Sequence, residues 1–400
     1  MAKPELKRLD SAKLATTRIS HDQIHISASV TDATADPIRV SRTIYSEIAD
    51  ILHAHDLHIV HERLFGSLSI RDAVIEGRRS SLHNGERAED LPMTYIQGNP
   101  YWGDGFSGVQ IRAVKNGGLV EKIWTIREGG RPVGRAYRRN GTTFITLQNM
   151  HGRPQADGKV RSRTEQTREM FDRTAALLAR EGASFRHVVR TWIYLSRILD
   201  WYGDFNLARN ERFQAFGLLA DPGSENRQAE DVYLPASTGI RGDNPDGAAG
   251  TMDVFAVLPG DARQVEIEPL TGVKQRSAFR YGSAFSRAMC IREKDCTHIL
   301  VSGTASIDET GRTVHAGDTR AQMQKTVEIV DTLIRTRGAT LQNICDTTVF
   351  LKKPEDIAIW QDVARENGLA DMPSVCMVAD VCRDDLLFEL DANAALFDTP

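Results

Sequence analysis

Cysteine is scarce in this chain. The five in 400 residues are Cys290, Cys296, Cys345, Cys376 and Cys382, all in the last third. An odd number, with no CxxC pair, argues against a disulfide framework and against a structural zinc site of the paired-cysteine kind. A reducing, cytoplasmic compartment is the expectation. Long apolar runs are lacking as well: no stretch approaches the ~20 residues needed to span a bilayer. The charged opening, Met1 to Lys13, has no apolar core and does not read as a signal peptide. Basic charge is in no surplus. The formal net charge of -4 gives no whole-chain case for nucleic acid. Arg78-Arg79 and the run Arg135 to Arg139 come without a stripe of interleaved aromatics and read as solvated faces. His53, His55, His58 and His61 lack the added carboxylate or cysteine of a zinc site. Gly66, Gly103 and Gly105 are not followed by the Lys-Ser/Thr of a phosphate loop. No cofactor, metal, nucleic-acid or membrane partner is therefore expected.

What the chain does have is an internal repeat. Hydrophobic residues make up 41% and charged residues 26%, enough for real cores in two or three domains. In the last third, Thr297 to Ile307 reads as a strand. Asp318 to Arg337 then carries Met323, Val327, Val330, Leu333 and Ile334 at helical spacing, with Gly338 placed as a helix C-cap. A strand from Ile344 to Leu351, a short helix from Pro354 to about Arg365, and strands at Ser374–Cys382 and Leu386–Ala392 complete the unit. The middle third repeats this order with strand Thr143–Gln148, helix Thr164–Arg180 and strand Thr191–Leu195. Thr191 lies nine residues beyond Gly182, as Thr347 lies nine beyond Gly338. A weaker copy opens the chain, with strand Gln23–Ser29, helix Ser41–His53 and strand Leu57–Leu64. The stretch from Gly98 to Gly108, with its clustered Gly and Pro, and the stretch Asp221 to Gly250 both read as loops. Modules of this kind leave one sheet face bare, and packing several around a common axis covers it. The expectation is an α/β (α+β) chain of three fused modules, 1–135, 136–275 and 276–400, forming an intramolecular pseudo-trimer barrel. Such a chain is complete as a monomer or builds a homo-oligomer.

The order of LVSGTASID, helix, TTVFL, helix, strand and LLFELDA resembles the reactive-intermediate deaminase (Rid, or YjgF-like) superfamily, of chorismate-mutase-like fold. Ordinary members of that superfamily are homotrimers of single modules, with sites between subunits. In them an arginine fifteen residues before a late glutamate binds the substrate carboxylate for imine hydrolysis. Here the glutamate corresponds to Glu389, but the arginine position is Ser374, and the equivalent places in the other modules are Ser237 and Thr94. Within the superfamily the chain is most similar to the chorismatase branch, which cleaves the enolpyruvyl ether of chorismate. The similarity rests on Arg190-Thr191-Trp192-Ile193-Tyr194-Leu195, on Leu234 to Ile240, on Tyr281-Gly282 with Phe285 to Ala288 and Ser302 to Ile307, and on Val381-Cys382-Arg383 with Leu386 to Glu389. Ile193 stands where the branch usually has Asn.

Cleaving an enol ether needs an acid that protonates its terminal methylene carbon. Glu389 lies in an alternating strand, and if it shares a face with Leu387 its carboxyl is desolvated and its proton affinity raised. That makes Glu389 the expected general acid. The resemblance implies that Cys382, seven residues earlier, marks members forming 3-hydroxybenzoate; a buried structural thiol is the alternative. Chorismate carries two carboxylates, so arginines able to grip them are expected, and Arg190, Arg287 and Arg383 are the candidates. Arg190, Trp192 and Tyr194 alternate onto one face, although a structural ion pair would account for each arginine nearly as well. Tyr233, Ser237, Tyr281, Ser302, Thr304 and Cys376 complete the polar candidates. The reading is an enzyme acting on a small anionic metabolite. Its alternatives are a Rid-type imine or enamine hydrolase and a non-catalytic metabolite-binding protein.

Overall fold

The computed structural model describes residues 4–82, 87–156, 158–219, 234–260, 264–270 and 284–397. The first unit runs β1 (Glu5–Leu9), β2 (Ala12–Arg18), β3 (Gln23–Val30), α1 (Pro37–His55), β4 (Leu57–Gly66), α2 (Arg71–Ser81), β5 (Thr94–Gln97) and β6 (Phe106–Lys115). The second has β7 (Val120–Glu128), β8 (Arg131–Arg139), β9 (Thr142–His151), the small pair β10 (Gln155–Ala156) and β11 (Lys159–Val160), then α3 (Arg163–Arg180), β12 (Val188–Leu195), α4 (Tyr202–Ala215), β13 (Ala236–Arg241) and β14 (Gly250–Leu258). The third has β15 (Glu266–Leu270), β16 (Ala288–Arg292), β17 (Cys296–Ala305), α5 (Thr319–Arg335), β18 (Ile344–Leu351), α6 (Ile357–Glu366), β19 (Ser374–Val378) and β20 (Phe388–Phe397).

The three six-stranded sheets share one spatial order: β1-β2-β3-β6-β4-β5, β7-β8-β9-β14-β12-β13 and β15-β16-β17-β20-β18-β19. Each starts as an antiparallel meander. A helix then leads into a strand whose next neighbour in sequence, one crossover helix later, pairs parallel to it, as β12 does with β13 and β18 with β19. Local chemistry starts the long helices. Asp36 accepts from the Arg39 N–H ahead of Pro37, Ser162 and Glu165 form a capping box, and Asp318 accepts from the Ala321 N–H. Among the described residues, no helix is long and apolar enough to cross a membrane.

Each sheet has two buried faces. The outer faces pack on their own helices: Ile44, Tyr45 and Ile48 over the first sheet, Met170, Phe171 and Phe205 over the second, Met323, Val327 and Val363 over the third. The inner faces meet in one common core containing Phe65, Val114, Tyr137, Tyr194, Phe255, Met289, Leu300 and Phe350. Backbone hydrogen bonds join the sheets in a cycle. The Gln97 N–H donates to Asp243 (2.9 Å), the Arg241 N–H to Asp380 (3.0 Å) and the Val378 N–H to Asn99 (2.8 Å). No closed barrel of continuously paired strands is seen among the described residues.

Several expectations shift. The hairpin β7–β8 pairs with β9, so residues 120–135 lie on the second sheet although 1–135 was expected as the first module. Likewise β15, although inside the expected second module 136–275, pairs with β16 and lies on the third sheet. The Gly- and Pro-rich segment near 98–108 leads directly into β6, a central strand of the first sheet, and the expected loop 221–250 contains β13. Both are short or glycine-bearing strands whose partners lie far away in sequence, and local pattern does not register such partners.

Candidate active site

Strand β20 places the site. It pairs with β17 through Ala305 opposite Glu389 and with β18 through Phe350 opposite Glu389. Its even residues, Phe388, Leu390, Ala392 and Ala394, enter the helix-side core, so the odd ones, Glu389, Asp391 and Asn393, face inward. Leu387 precedes the strand, so the expected apolar partner on Glu389's face is replaced by the polar Asp391. Burial, not Leu387, desolvates the carboxyl. Glu389 is 4% exposed. Its pKa is pushed up to about 8, first by burial and then by Asp391, with Arg190 and Arg287 opposing. Gly303 makes room for it: a Cβ there would collide with Glu389 Oε1 and crowd Thr238.

Around Glu389 lies a small cavity between the second and third sheets. Ser237 and Gly239 of β13 and Tyr202 and Arg209 of α4 form one wall; Phe285, Arg287, Gly303, Ala305, Ile307, Cys382 and Arg383 form the other. The seam is held by the Ser302 hydroxyl, which donates to the Ser286 carbonyl (2.6 Å) and accepts from the Ser237 N–H (2.8 Å). Three guanidinium groups share the cavity. Arg287 has its pKa lowered to about 10 by burial and by the charge of Arg383, against the attraction of Glu389. Arg209 is buried, donates to Asn206 Oδ1 at 2.7 Å and leaves its Nε without a partner. Arg383 Nη1 donates to the Gly311 carbonyl at 2.8 Å. Burial raises the Cys382 thiol to about 12, with Glu389 adding to it, so it lines the cavity as a neutral S–H and not as a thiolate.

The expected residues thus separate. Ser237, Arg287, Cys382, Arg383 and Glu389 come together in one cavity. Arg190 does not line it: its Nη2 donates to Thr238 Oγ1 (2.6 Å) and pairs with Asp391 (3.2 Å), and its guanidinium stacks on Trp192. It is a structural ion pair in the shared core. Tyr194 lies deeper still, its hydroxyl accepting from Arg63 Nη1 at 3.2 Å. Thr304 donates to the Ser302 carbonyl and Ser302 bridges the seam, so both brace the wall from outside the lining. Cys376, on β19, is half-buried against the third sheet's helix-side core. Tyr233 and Tyr281 lie outside the described residues. Arg209 and Tyr202 were missed. The available signal was Arg209 four residues after Phe205, hence on the inward face of α4.

The three inward positions equivalent to Glu389 differ. Phe350, Tyr194 and Phe65 occupy matching places one residue before the last of their strands, and they sit opposite Glu389, Thr251 and Gly108 respectively. Only the seam between the second and third sheets therefore carries a carboxyl at this place.

Residues 276–396 match the family model described as Endoribonuclease L-PSP. That match covers the C-terminal module and marks its similarity to the Rid/YjgF family. Two curated relatives of this chain come from Streptomyces hygroscopicus. One, named 3-hydroxybenzoate synthase, is 27% identical over 292 residues, covering 66% of this chain and 77% of the relative. The other, named chorismatase, is 27% identical over 262 residues, covering 58% of this chain and 70% of the relative. A chorismatase crystal structure shares the fold, with a TM-score of 0.58 at 18% identity, over 84% of this chain and 92% of that one.

Proposed function

We propose that this chain is a chorismatase-like enzyme that cleaves the enolpyruvyl ether of chorismate, or of a closely related carboxylated enol ether, to pyruvate and a ring acid. The observation that carries the reading is a buried carboxyl that keeps its proton at neutral pH in a cavity it shares with Arg209, Arg287 and Arg383. A protonated acid and a cluster of cations suit a dianionic substrate that must accept a proton on carbon. Glu389 delivers its proton to the terminal methylene carbon, giving an oxocarbenium ion and a carboxylate. Water adds to the cation, the resulting hemiketal collapses, and the ring–oxygen bond to the three-carbon unit breaks to release pyruvate and the ring alcohol; the water's proton restores Glu389. The alternative route is rearrangement of the ring to a hydroxybenzoate, and the neutral Cys382 thiol beside the acid is the residue we assign to that choice. Serine at 374 and 237 and threonine at 94, where imine-hydrolysing relatives carry arginine, count against simple Rid-type deamination.

We further infer that the modules surround a pseudo-threefold axis, supported by the shared strand order and by the cycle of backbone hydrogen bonds. Module boundaries then fall just before β7 and just before β15. The function is tested by incubating the purified protein with chorismate and following pyruvate and aromatic acids by mass spectrometry, with Glu389→Gln alongside. Pyruvate from the wild type alone is the expected result. No pyruvate from folded wild-type protein removes chorismate and favours a binding role or another enol ether.

A further inference from the structure

The turn joining β16 to β17 lies at the other end of β17 from Gly303, on the order of 20 Å along the strand from the cavity. Glu293, Cys296 and His298 are all buried there. Cys296 Sγ stands 3.2 Å from His298 Nε2 and 3.5 Å from Glu293 Oε1, and these two are themselves 3.5 Å apart. Ligand bonds of about 2.0–2.3 Å in a tetrahedral zinc site put neighbouring donor atoms roughly 3.3–3.6 Å apart. The three atoms therefore already hold the spacing of one coordination face.

Charge supplies a second, separate observation. Arg139 pairs with Asp22 (2.9 Å), Glu293 (2.5 Å) and Asp295 (2.7 Å), and the side chains of the three acids are 6%, 5% and 17% exposed. Among the described residues, Arg139 is the one arginine or lysine ion-paired with these acids. Asp295 Oδ1 has no hydrogen-bond partner. Two buried carboxylates and the half-buried Asp295 against one guanidinium leave excess negative charge at this place, which is costly unless a further cation offsets it. Arg139 occupies Glu293 Oε2, which leaves Oε1 directed at the thiol and the imidazole.

We propose that Glu293, Cys296 and His298 bind one zinc-class divalent cation in a structural site. The donor set of thiolate, imidazole and carboxylate suits zinc among the common divalent ions. Binding displaces the Cys296 S–H proton to solvent, and the thiolate, the neutral imidazole and the Glu293 carboxylate each donate an electron pair to the ion. Its three ligands all lie on the β16–β17 hairpin of the third unit, and Glu293 also pairs with Arg139 of the second unit, which in turn pairs with Asp22 of the first. Its role is to fix the β16–β17 turn and the Glu293 carboxylate that meets Arg139, and it takes no part in the Glu389 cavity.

The test uses full-length protein expressed with zinc and, separately, with cobalt, then dialysed against metal-free buffer. Elemental analysis of the wild type is expected to give one ion per chain. The cobalt form is expected to show the near-ultraviolet charge-transfer band of a cobalt–thiolate bond. Cys296→Ser loses that band, and His298→Ala loses the metal. Folded wild-type protein that is metal-free from both preparations overturns the proposal, as does cobalt bound without the thiolate band. Because the wild-type measurements decide by themselves, misfolding of a variant does not obscure the outcome. Because none of them reads turnover, failure of the enol-ether reading leaves this test intact.

Discussion

Replacing Glu389 by glutamine removes the proposed general acid and also a pH-dependent burden on the fold. The ordinary carboxyl value of 4.5 rises to about 8 in the folded protein. Between those values the folded state holds a proton that the unfolded chain has released, so stability falls as pH rises from the lower value to the upper. At 1.36 kcal/mol per tenfold change in proton affinity, the burden is about 3 kcal/mol at pH 7 and about 5 kcal/mol once pH passes 8. Glutamine never ionises. Glu389→Gln is therefore expected to melt above the wild type at pH 8, with the gap closing by pH 5, while losing about 10²–10⁴-fold in turnover for want of a general acid. The assays are thermal unfolding across pH and pyruvate release from chorismate. The wild-type rate should decline as pH rises through about 8, where the acid form is lost. A variant with near-wild-type turnover refutes the role of Glu389. A difference in melting that does not change with pH refutes the account of its burial.

Other perturbations separate the site from the frame. Gly303→Ala drives a methyl group into Glu389 Oε1, and a displacement of that size is expected to lower kcat about 10²-fold, read by steady-state kinetics with stability checked by melting. Arg287→Met is expected to raise KM at least tenfold. Because Arg287 holds the Glu389 pKa down, the alkaline limb of the rate profile should also move to higher pH. Arg78→Ala strips Glu62 of a buried bidentate partner at 2.7 and 2.9 Å; it should cost about 3–5 kcal/mol in denaturant unfolding and leave kcat of the folded enzyme unchanged.

The repeat was legible because helices announce themselves locally. The apolar spacing of Met323, Val327 and Val330, with Gly338 beyond it, placed α5 to within a residue or two, and the helix expected from Thr164 to Arg180 matches α3 as closely. Strands β6, β7, β8 and β13 were not legible. Their inward faces carry Gln110, Arg112 and Arg135, which read as exposed until three sheets are seen to enclose them. The same enclosure explains Arg190. Its alternation with Trp192 and Tyr194 correctly gave one strand face, but that face looks into a buried ionic core and not into the cavity. Within the site, the motif residues Glu389, Cys382, Arg287 and Arg383 came from short segments near the chain's end. Arg209 lies on a helix that a pattern search reads as an ordinary amphipathic surface. The set Glu293, Cys296 and His298 holds a single thiol, so its spacing lacks the paired cysteines that make a metal site legible in a sequence.

The seam that closes over Gly108 shows what joining three walls in one polypeptide permits. In an assembly of identical chains, any residue suited to one seam is imposed on all of them, so none can become plain masonry without ruining the rest. Here Gly108 lies against the Ala28 carbonyl and Val375, with no room for even a methyl group, while Thr251 occupies the matching place in the next seam. Each wall is free to specialise: two seams serve cohesion and the third is left to hold an awkward, proton-retaining carboxyl whose instability the other two can carry.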